Sequence, residues 1–313
     1  LVLLSENERV TLATAMDGML GSEFGMYRDN PVGFVEEVLH ETLWSKQKEI
    51  LESVRDNKRT AVPACHAPGK SHIAARAVAY WVSSHAPGTA MAITTATTFR
   101  QVKTILWQHI RRVHTRHNLP GEVNTTEWKI GGSLGAFGFS AGDNDEAAVQ
   151  GIHVPHLLIV VDEAGGISHT LGRAFEALMT GSHTRLLIIG NPATETSNSW
   201  FEKCCLSDLY NVISIDAHST PNFTGEDAGI CKSCPDGIRP HGVATHLVDP
   251  TWVNEVTQEF GEDSPFIEAR VFARFPTLVA NRVIPIAWVE EAIENTNPVL
   301  DGKIRLGVDV ASD

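Results

Sequence analysis

Four groups of residues in this chain have the types and spacing to handle a nucleotide, three at its phosphates and one at its base. The run Ala64-Cys65-His66-Ala67-Pro68-Gly69-Lys70-Ser71 fits the phosphate-loop pattern G-x-x-x-x-G-K-[ST] at every fixed position except the first, where Ala64 stands in place of glycine. In such a loop, backbone N–H groups and a helix N-terminus face the phosphates, so the contact run extends through His72. Lys70 is the residue to neutralise phosphate charge, Ser71 the one to ligate magnesium, and Gly69 lets the backbone approach without a side chain intervening. Downstream, Asp162-Glu163 follows the apolar run Leu157-Leu-Ile-Val-Val161. Asp162 can share the metal with Ser71, and Glu163 is placed to polarise an attacking water.

Two further positions are less specific. Asn191 ends a second apolar run, Leu186-Leu-Ile-Ile189, and reads either as a sensor of the γ-phosphate or, with Pro192, as a turn. Gln47, upstream of the loop, can donate to and accept from an adenine edge while Trp44 packs on the base; the alternative is a surface glutamine in a helix. Arg59, Arg100, Arg173, Arg270 and Arg274 are all conceivable suppliers of a transition-state charge, and the sequence does not choose among them. Cys231-Lys-Ser-Cys234, with His241 and His246 downstream, invites a zinc reading, but the gap is short and no second Cys-x-x-Cys exists, so a plain loop is preferred.

The elements that must position these groups follow from periodicity. Five consecutive apolar residues before Asp162 fit a strand buried on both faces of a parallel sheet, and ligands bind at the carboxyl ends of such strands. Ala90 to Thr95, Leu186 to Ile189 and Val212 to Ile215 read as further strands, and residues 121 to 142 as hairpins at a sheet edge. Helices are expected over Pro31 to Arg55 as a pair, Ile73 to Ser83, Thr97 to His117, Asp249 to Phe260, Ser264 to Phe272 and Pro285 to Asn295. The result is an α/β fold with a mostly parallel sheet flanked by helices and a small helical C-terminal subdomain. The helix ending at His117 carries Lys103, Arg111, Arg112 and Arg116, a face that is either merely solvated or a contact for a phosphate backbone.

Composition sets the outer limits. At 313 residues with 42% hydrophobic and 20% charged residues, the chain can bury a sizeable core. No apolar window is long enough to span a membrane, and Leu1 to Leu4 lacks the flank of a signal peptide, so an intracellular protein is expected. A net charge of -13 argues against a wholly basic nucleic-acid-binding surface but not against transient contact through local basic residues. Five cysteines do not suggest a disulfide framework, and Cys65, Cys204 and Cys205 read as reduced thiols.

Taken in order, Trp44-Ser-Lys-Gln47, ACHAPGKS, Thr94-Thr-Ala-Thr-Thr-Phe-Arg-Gln101, Gln150-Gly-Ile-His153, VVDEA from Val160 and Gly190-Asn-Pro192 resemble the large terminase subunit of tailed bacteriophages. Ser264-Pro-Phe and Arg270-Val-Phe-Ala-Arg-Phe-Pro276 resemble the end of that family's ATPase region, and Leu306-Gly-Val-Asp-Val-Ala311 the opening strand of its RNase H-like nuclease. The resemblance implies a RecA-like P-loop ATPase that uses ATP and Mg²⁺ to drive double-stranded DNA into a capsid. It divides the chain into an N-terminal segment (1–30), an ATPase core (31–222), a linker or lid subdomain (223–300) and the first strand of a nuclease domain (301–313). By position, Gln47 would contact adenine, Lys70 and Ser71 the phosphates and magnesium, Asp162 the metal, Glu163 the water, and Asn191 would couple hydrolysis to movement. Asp309 matches the first nuclease carboxylate, but its partners are not in this chain, so nuclease activity is not expected from it. The family's loop often has an arginine near its start, where this chain has Val62-Pro63-Ala64. Implied partners are a portal protein, a small terminase subunit and DNA, with a ring assembled on the portal, a monomer in isolation, no membrane, and the cytoplasm of an infected bacterium as the setting. A helicase-like ATPase and a nucleotide-binding module without turnover are the competing readings.

Overall fold

The computed structural model describes residues 21–140, 152–194, 198–228, 244 and 246–276. Asp309, the strand expected at 301–313, the helix expected at 285–295, residues 1–20, Gln150-Gly151 and the Cys231/Cys234/His241 group lie outside the described residues.

An eight-stranded sheet forms the centre, in the order β3-β4-β5-β2-β6-β7-β1-β8. In chain order its strands are β1 (Arg59–Pro63), β2 (Ala90–Ala96), β3 (Glu122–Val123), β4 (Glu127–Ile130), β5 (Ser133–Ser140), β6 (His156–Asp162), β7 (Thr184–Gly190) and β8 (Asn211–Val212). The β3-β4 and β4-β5 pairs are antiparallel and the remainder parallel. The hairpins expected after residue 121 therefore extend the sheet, with β5 joining β2 in parallel. Parallel strands need covering on both faces, and alternate residues of the central strands enter two cores. Val62, Leu158, Val160, Leu187 and Ile189 face one core, while Ala61, Ile159, Val161, Leu186 and Ile188 face the other.

The first core is covered by helices α1 (Ser45–Asp56), α2 (Lys70–Ser84) and α3 (Trp107–His117). Alanines at 74, 75, 77 and 79 let α2 lie close to the sheet, and every residue from Ile73 to Ser84 is buried. The second core is covered by α4 (His169–Leu178) and α5 (Trp200–Cys205). Helices α6 (Pro250–Phe260) and α7 (Pro265–Arg270) pack a third, smaller cluster beside the sheet. Each of these two starts with an N-cap and a proline, Asp249 accepting from the Thr251 N–H at 2.8 Å and Ser264 from the Ile267 N–H at 3.4 Å.

Three expectations need correcting. The strand expected over Val212 to Ile215 is regular only as β8, with one isolated bridge between Ala64 and Ile215. It is the sheet's edge, and Val212 is exposed. The helix expected to reach Phe272 ends at Arg270, because the chain turns into a left-handed residue at Ala273 (φ 55°). Two helical runs contain a wider π-helical turn, Phe34–Val38 and Val102–Leu106, which hydrophobic spacing does not distinguish from regular helix.

One packing contact ties α3 to the sheet. The Trp107 indole N–H donates to Thr94 Oγ1 at 2.8 Å, over Gly138 of β5. A Cβ at Gly138 would stand 2.8 Å from Val102 Cγ1 and closer still to Trp107 Nε1. Gly138→Ala should therefore lower the unfolding free energy by about 2 kcal/mol through overpacking. Urea denaturation measures this, and an unchanged midpoint would contradict it.

Candidate functional site

The loop between β1 and α2 is clamped from several sides. Ala64 N–H donates to Gly190 O (2.9 Å), Cys65 N–H to Ile215 O (2.8 Å) and His66 N–H to Arg270 O (2.8 Å), while Ala67 O accepts from Val248 N–H (3.1 Å). Ala67 (φ 52°) and Gly69 (φ 91°) are left-handed, which turns the chain into the start of α2. The glycine serves a second purpose, since a Cβ there would stand 3.0 Å from Gln47 Nε2. Pro68 is buried within the turn. Beside the loop, His66, Ala67, Leu247, Val248, Asp249 and Trp252 line a cavity of about 330 Å³.

At the head of α2, the Lys70 ammonium donates to Cys65 O at 3.0 Å and to Asn191 Oδ1 at 3.2 Å. The Asn191 amide in turn donates to Ala64 O at 2.6 Å, so the asparagine bridges lysine and loop. Ser71 Oγ donates to Asp162 Oδ2 at 2.6 Å. Glu163 follows in a left-handed conformation (φ 54°); its N–H donates to Asp162 Oδ1 at 3.1 Å, and its carbonyl accepts from Thr97 Oγ1 at 3.3 Å. No hydrogen bond among the described residues occupies the Glu163 carboxylate.

Burial governs the charges here. It pushes the Asp162 carboxyl up to about 6, reinforced by the neighbouring Glu163 charge and opposed by the Ser71 hydrogen bond and Lys70. It lowers Lys70, an effect that Glu163 and Asp162 counter and Arg270 adds to. The same effect drives the Cys65 thiol up to about 12, which keeps it an unreactive thiol. His66 falls to about 4 through burial and the positive charges of Arg270 and Lys70, so its imidazole is neutral at pH 7.

The structure brings Gln47, Gly69, Lys70, Ser71, Asp162, Glu163 and Asn191 to one edge of the sheet. Two expected contributors face elsewhere. Trp44 is 1% exposed within the first core, so neither ring face is open to a base. The His72 side chain points to Glu41, with Nε2 3.4 Å from its carboxylate, leaving only the backbone for a phosphate. Among the arginines, Arg59 is paired with Glu176 at 2.6 Å, Arg274 lies over the Phe272 ring, and Arg100 is exposed on the surface. Arg270 is the one whose charge is felt at both Lys70 and His66.

Solved structures superpose on this fold. The chain superposes on the ATPase domain of the large terminase from Thermus phage P74-26 with a TM-score of 0.53 at 14% identity, covering 77% of this chain and 96% of that one. The fold is that of a large-terminase ATPase domain. The large terminase of the thermophilic bacteriophage D6E, in complex with ADP, matches with a TM-score of 0.52 at 10% identity over 75% of this chain and 54% of its own. The HK97 bacteriophage large terminase gives 0.52 at 14% over 75% and 51%. The match thus spans about half the length of the D6E and HK97 terminases. No protein-family model matches the chain, and no curated protein matches it in sequence.

On this terminase fold, one buried residue escaped the sequence reading. Glu41 accepts from Arg76 Nε and Nη2 at 2.7 and 2.6 Å, with His72 at 3.4 Å and His117 at 3.8 Å. It lies between the segment that leads to Gln47 and the helix that begins at Lys70, and so sets one against the other. Burial pushes its carboxyl up, but the hydrogen bonds from His72 and Arg76 and their charges outweigh this and hold it well below the ordinary carboxylate range. A single glutamate has no spacing partner to reveal it in the sequence.

Glu41→Gln would leave Arg76, whose side chain is 4% exposed, without its counter-charge. We expect a loss of roughly 3 kcal/mol at pH 7, the range for breaking one side of a buried pair. A carboxylate with a lowered folded pKa contributes stability above its unfolded value and loses it as the pH falls. The gap between variant and wild type should therefore be full at pH 7 and shrink below about pH 4.5. Denaturant titrations at pH 7 and pH 3 measure both, and coincident curves at pH 7 would refute the role given to Glu41.

Proposed function

We propose that this chain is an ATP-hydrolysing motor that moves double-stranded DNA into a phage capsid, the ATPase part of a large terminase subunit. The observation that carries this reading is the convergence of Lys70, Ser71, Asp162, Glu163 and Asn191 at three neighbouring strand ends, on a fold shared with terminase ATPase domains.

The residues fit a magnesium ion. Ser71 Oγ and the buried Asp162 carboxylate meet at 2.6 Å and offer the oxygen donors that this cation prefers. When bound, magnesium supplies neutralisation of phosphate charge. The chain's own residues do the remainder. The loop N–H groups and Lys70 receive the phosphates, and Gln47 stands beside Gly69 for the adenine edge. Glu163 orients and polarises the water that attacks the γ-phosphorus, because no hydrogen bond among the described residues occupies its carboxylate. Asn191, bonded to Lys70 and to Ala64 O, connects the phosphate-binding lysine to the end of β7.

Double-stranded DNA, a portal protein and a small terminase subunit are the partners of this reading, with subunits monomeric alone and assembled as a ring on the portal. The setting of this reading is the cytoplasm of an infected bacterium; no helix among the described residues is long and apolar enough to cross a membrane. Asp309 would begin the nuclease domain of the longer protein, and nuclease activity is assigned to that domain alone.

Phosphate release from ATP separates the motor from a nucleotide-binding module. We expect slow magnesium-dependent hydrolysis by the wild-type chain and a loss of roughly 100-fold or more in Glu163→Gln, the scale of a removed general base. ATP binding by the variant should persist. Equal rates in the two proteins would remove Glu163 from the mechanism, and absence of hydrolysis in the wild type would favour the module.

A further inference from the structure

Charge is unevenly distributed along the chain. None of the 38 acidic residues falls between Asn57 and Gly121, a stretch with nine lysines and arginines. Five of these basic residues, Arg100, Lys103, Arg111, Arg112 and Arg116, lie on the helical run from Phe99 to His117. Arg100, Lys103, Arg112 and Arg116 are exposed, and among the described residues none of the four makes an ion pair. Arg111 is held by backbone carbonyls alone, donating to Thr125 O and Lys103 O. Thr104, Ile105, Gln108 and Thr115 fill the exposed positions between the cations, so one apolar side chain interrupts an otherwise polar face, while Val102, Leu106, Trp107, Ile110 and Val113 face the core.

A solvated helix face in an acidic protein ordinarily intersperses acids at i,i+4, each pair worth about 0.2–0.5 kcal/mol. This face forgoes every such pair and sets Arg112 against Arg116 at that spacing, which is repulsive. An external polyanion resolves the repulsion.

We propose that this face is the chain's contact with the sugar–phosphate backbone of duplex DNA. From Arg100 to Arg116 it extends roughly 24 Å at 1.5 Å per residue, enough to meet several phosphates. Its hydroxyl, amide and guanidinium donors are those that bind phosphate oxygens without reading sequence. A single strand would need stacking platforms, and the face has one exposed aromatic ring, Phe99. The position also links it to hydrolysis. The run begins just past the end of β2, where the Thr97 hydroxyl donates to the carbonyl of Glu163 at 3.3 Å. A change at the Glu163 turn therefore reaches the root of this helix through one hydrogen bond.

The inference rests on the DNA-motor reading, and its test uses no ATP, so failure here is distinguishable from failure of the ATPase assignment. Binding of the full chain to a mixed-sequence DNA duplex would be measured against salt concentration for wild type, Arg112→Glu/Arg116→Glu and a control, Lys46→Glu/Lys48→Glu on α1. Thermal melting would confirm that each is folded, and Arg112→Gln/Arg116→Gln serves if the reversal is not. We expect the first variant to bind at least 10-fold more weakly, with a salt slope shallower by about 2, since each lost phosphate contact removes about 0.9. The control should bind as wild type does. The proposal is overturned if wild type does not bind duplex at low salt, if both variants weaken equally, if the 112/116 variant keeps wild-type affinity and slope, or if single-stranded RNA or polyglutamate is bound in preference to duplex.

Discussion

The level ends of three neighbouring parallel strands are the constraint on which the site depends. In the β1-β7-β6 ladder, Val62 and Asp162 both pair with Ile189, and Pro63 pairs with Gly190. Adjacent strands lie about 4.8 Å apart, so groups leaving these ends at the same height come within hydrogen-bonding reach. That is how Ala64, Asp162 and Asn191, nearly 130 residues apart at the extremes, come to lie at one site, with Asn191 bonded to Ala64 O and Lys70, and Asp162 to the next residue, Ser71. A slip of one residue in any strand would turn its side chains to the opposite core, which makes the two cores the guarantors of the site's geometry.

The network itself is a poor source of stability. Asp162 and Lys70 are both buried, and burial acts against the charge on each. Glu163 occupies a left-handed conformation that a side chain adopts at a cost of about 1–2 kcal/mol. The apolar cores offset this. The central strands are buried on both faces and α2 is buried over almost its whole length, so the polar edge sits on a rigid frame.

Much of this frame was legible in the residues because both signals involved are local. Leu157 to Val161 and Leu186 to Ile189 are continuous apolar runs, and double burial leaves no other reading at that length. The phosphate loop declares itself by fixed spacing, and the carboxylates and Asn191 by their place after apolar runs. What remained hidden depends on partners distant in sequence. Glu41 is unremarkable until Arg76, His72 and His117 fold around it. Trp44 stands near Gln47 in sequence, but hydrophobicity favours its insertion in the core over an open face beside a base. The shortness of β8 follows from its having a neighbour on one side only, a fact of sheet order rather than of Val212 to Ile215 themselves.

Two of the protons on the Lys70 ammonium are engaged within the protein. A lysine ammonium carries three. One is committed to Cys65 O and one to Asn191 Oδ1. On the proposed ATPase reading the third would meet an arriving phosphate oxygen with nothing displaced, so first contact would require no rearrangement. A second contact would be a swap, and whichever acceptor was released, the loop carbonyl or the amide at the end of β7, would register the arrival by losing its donor.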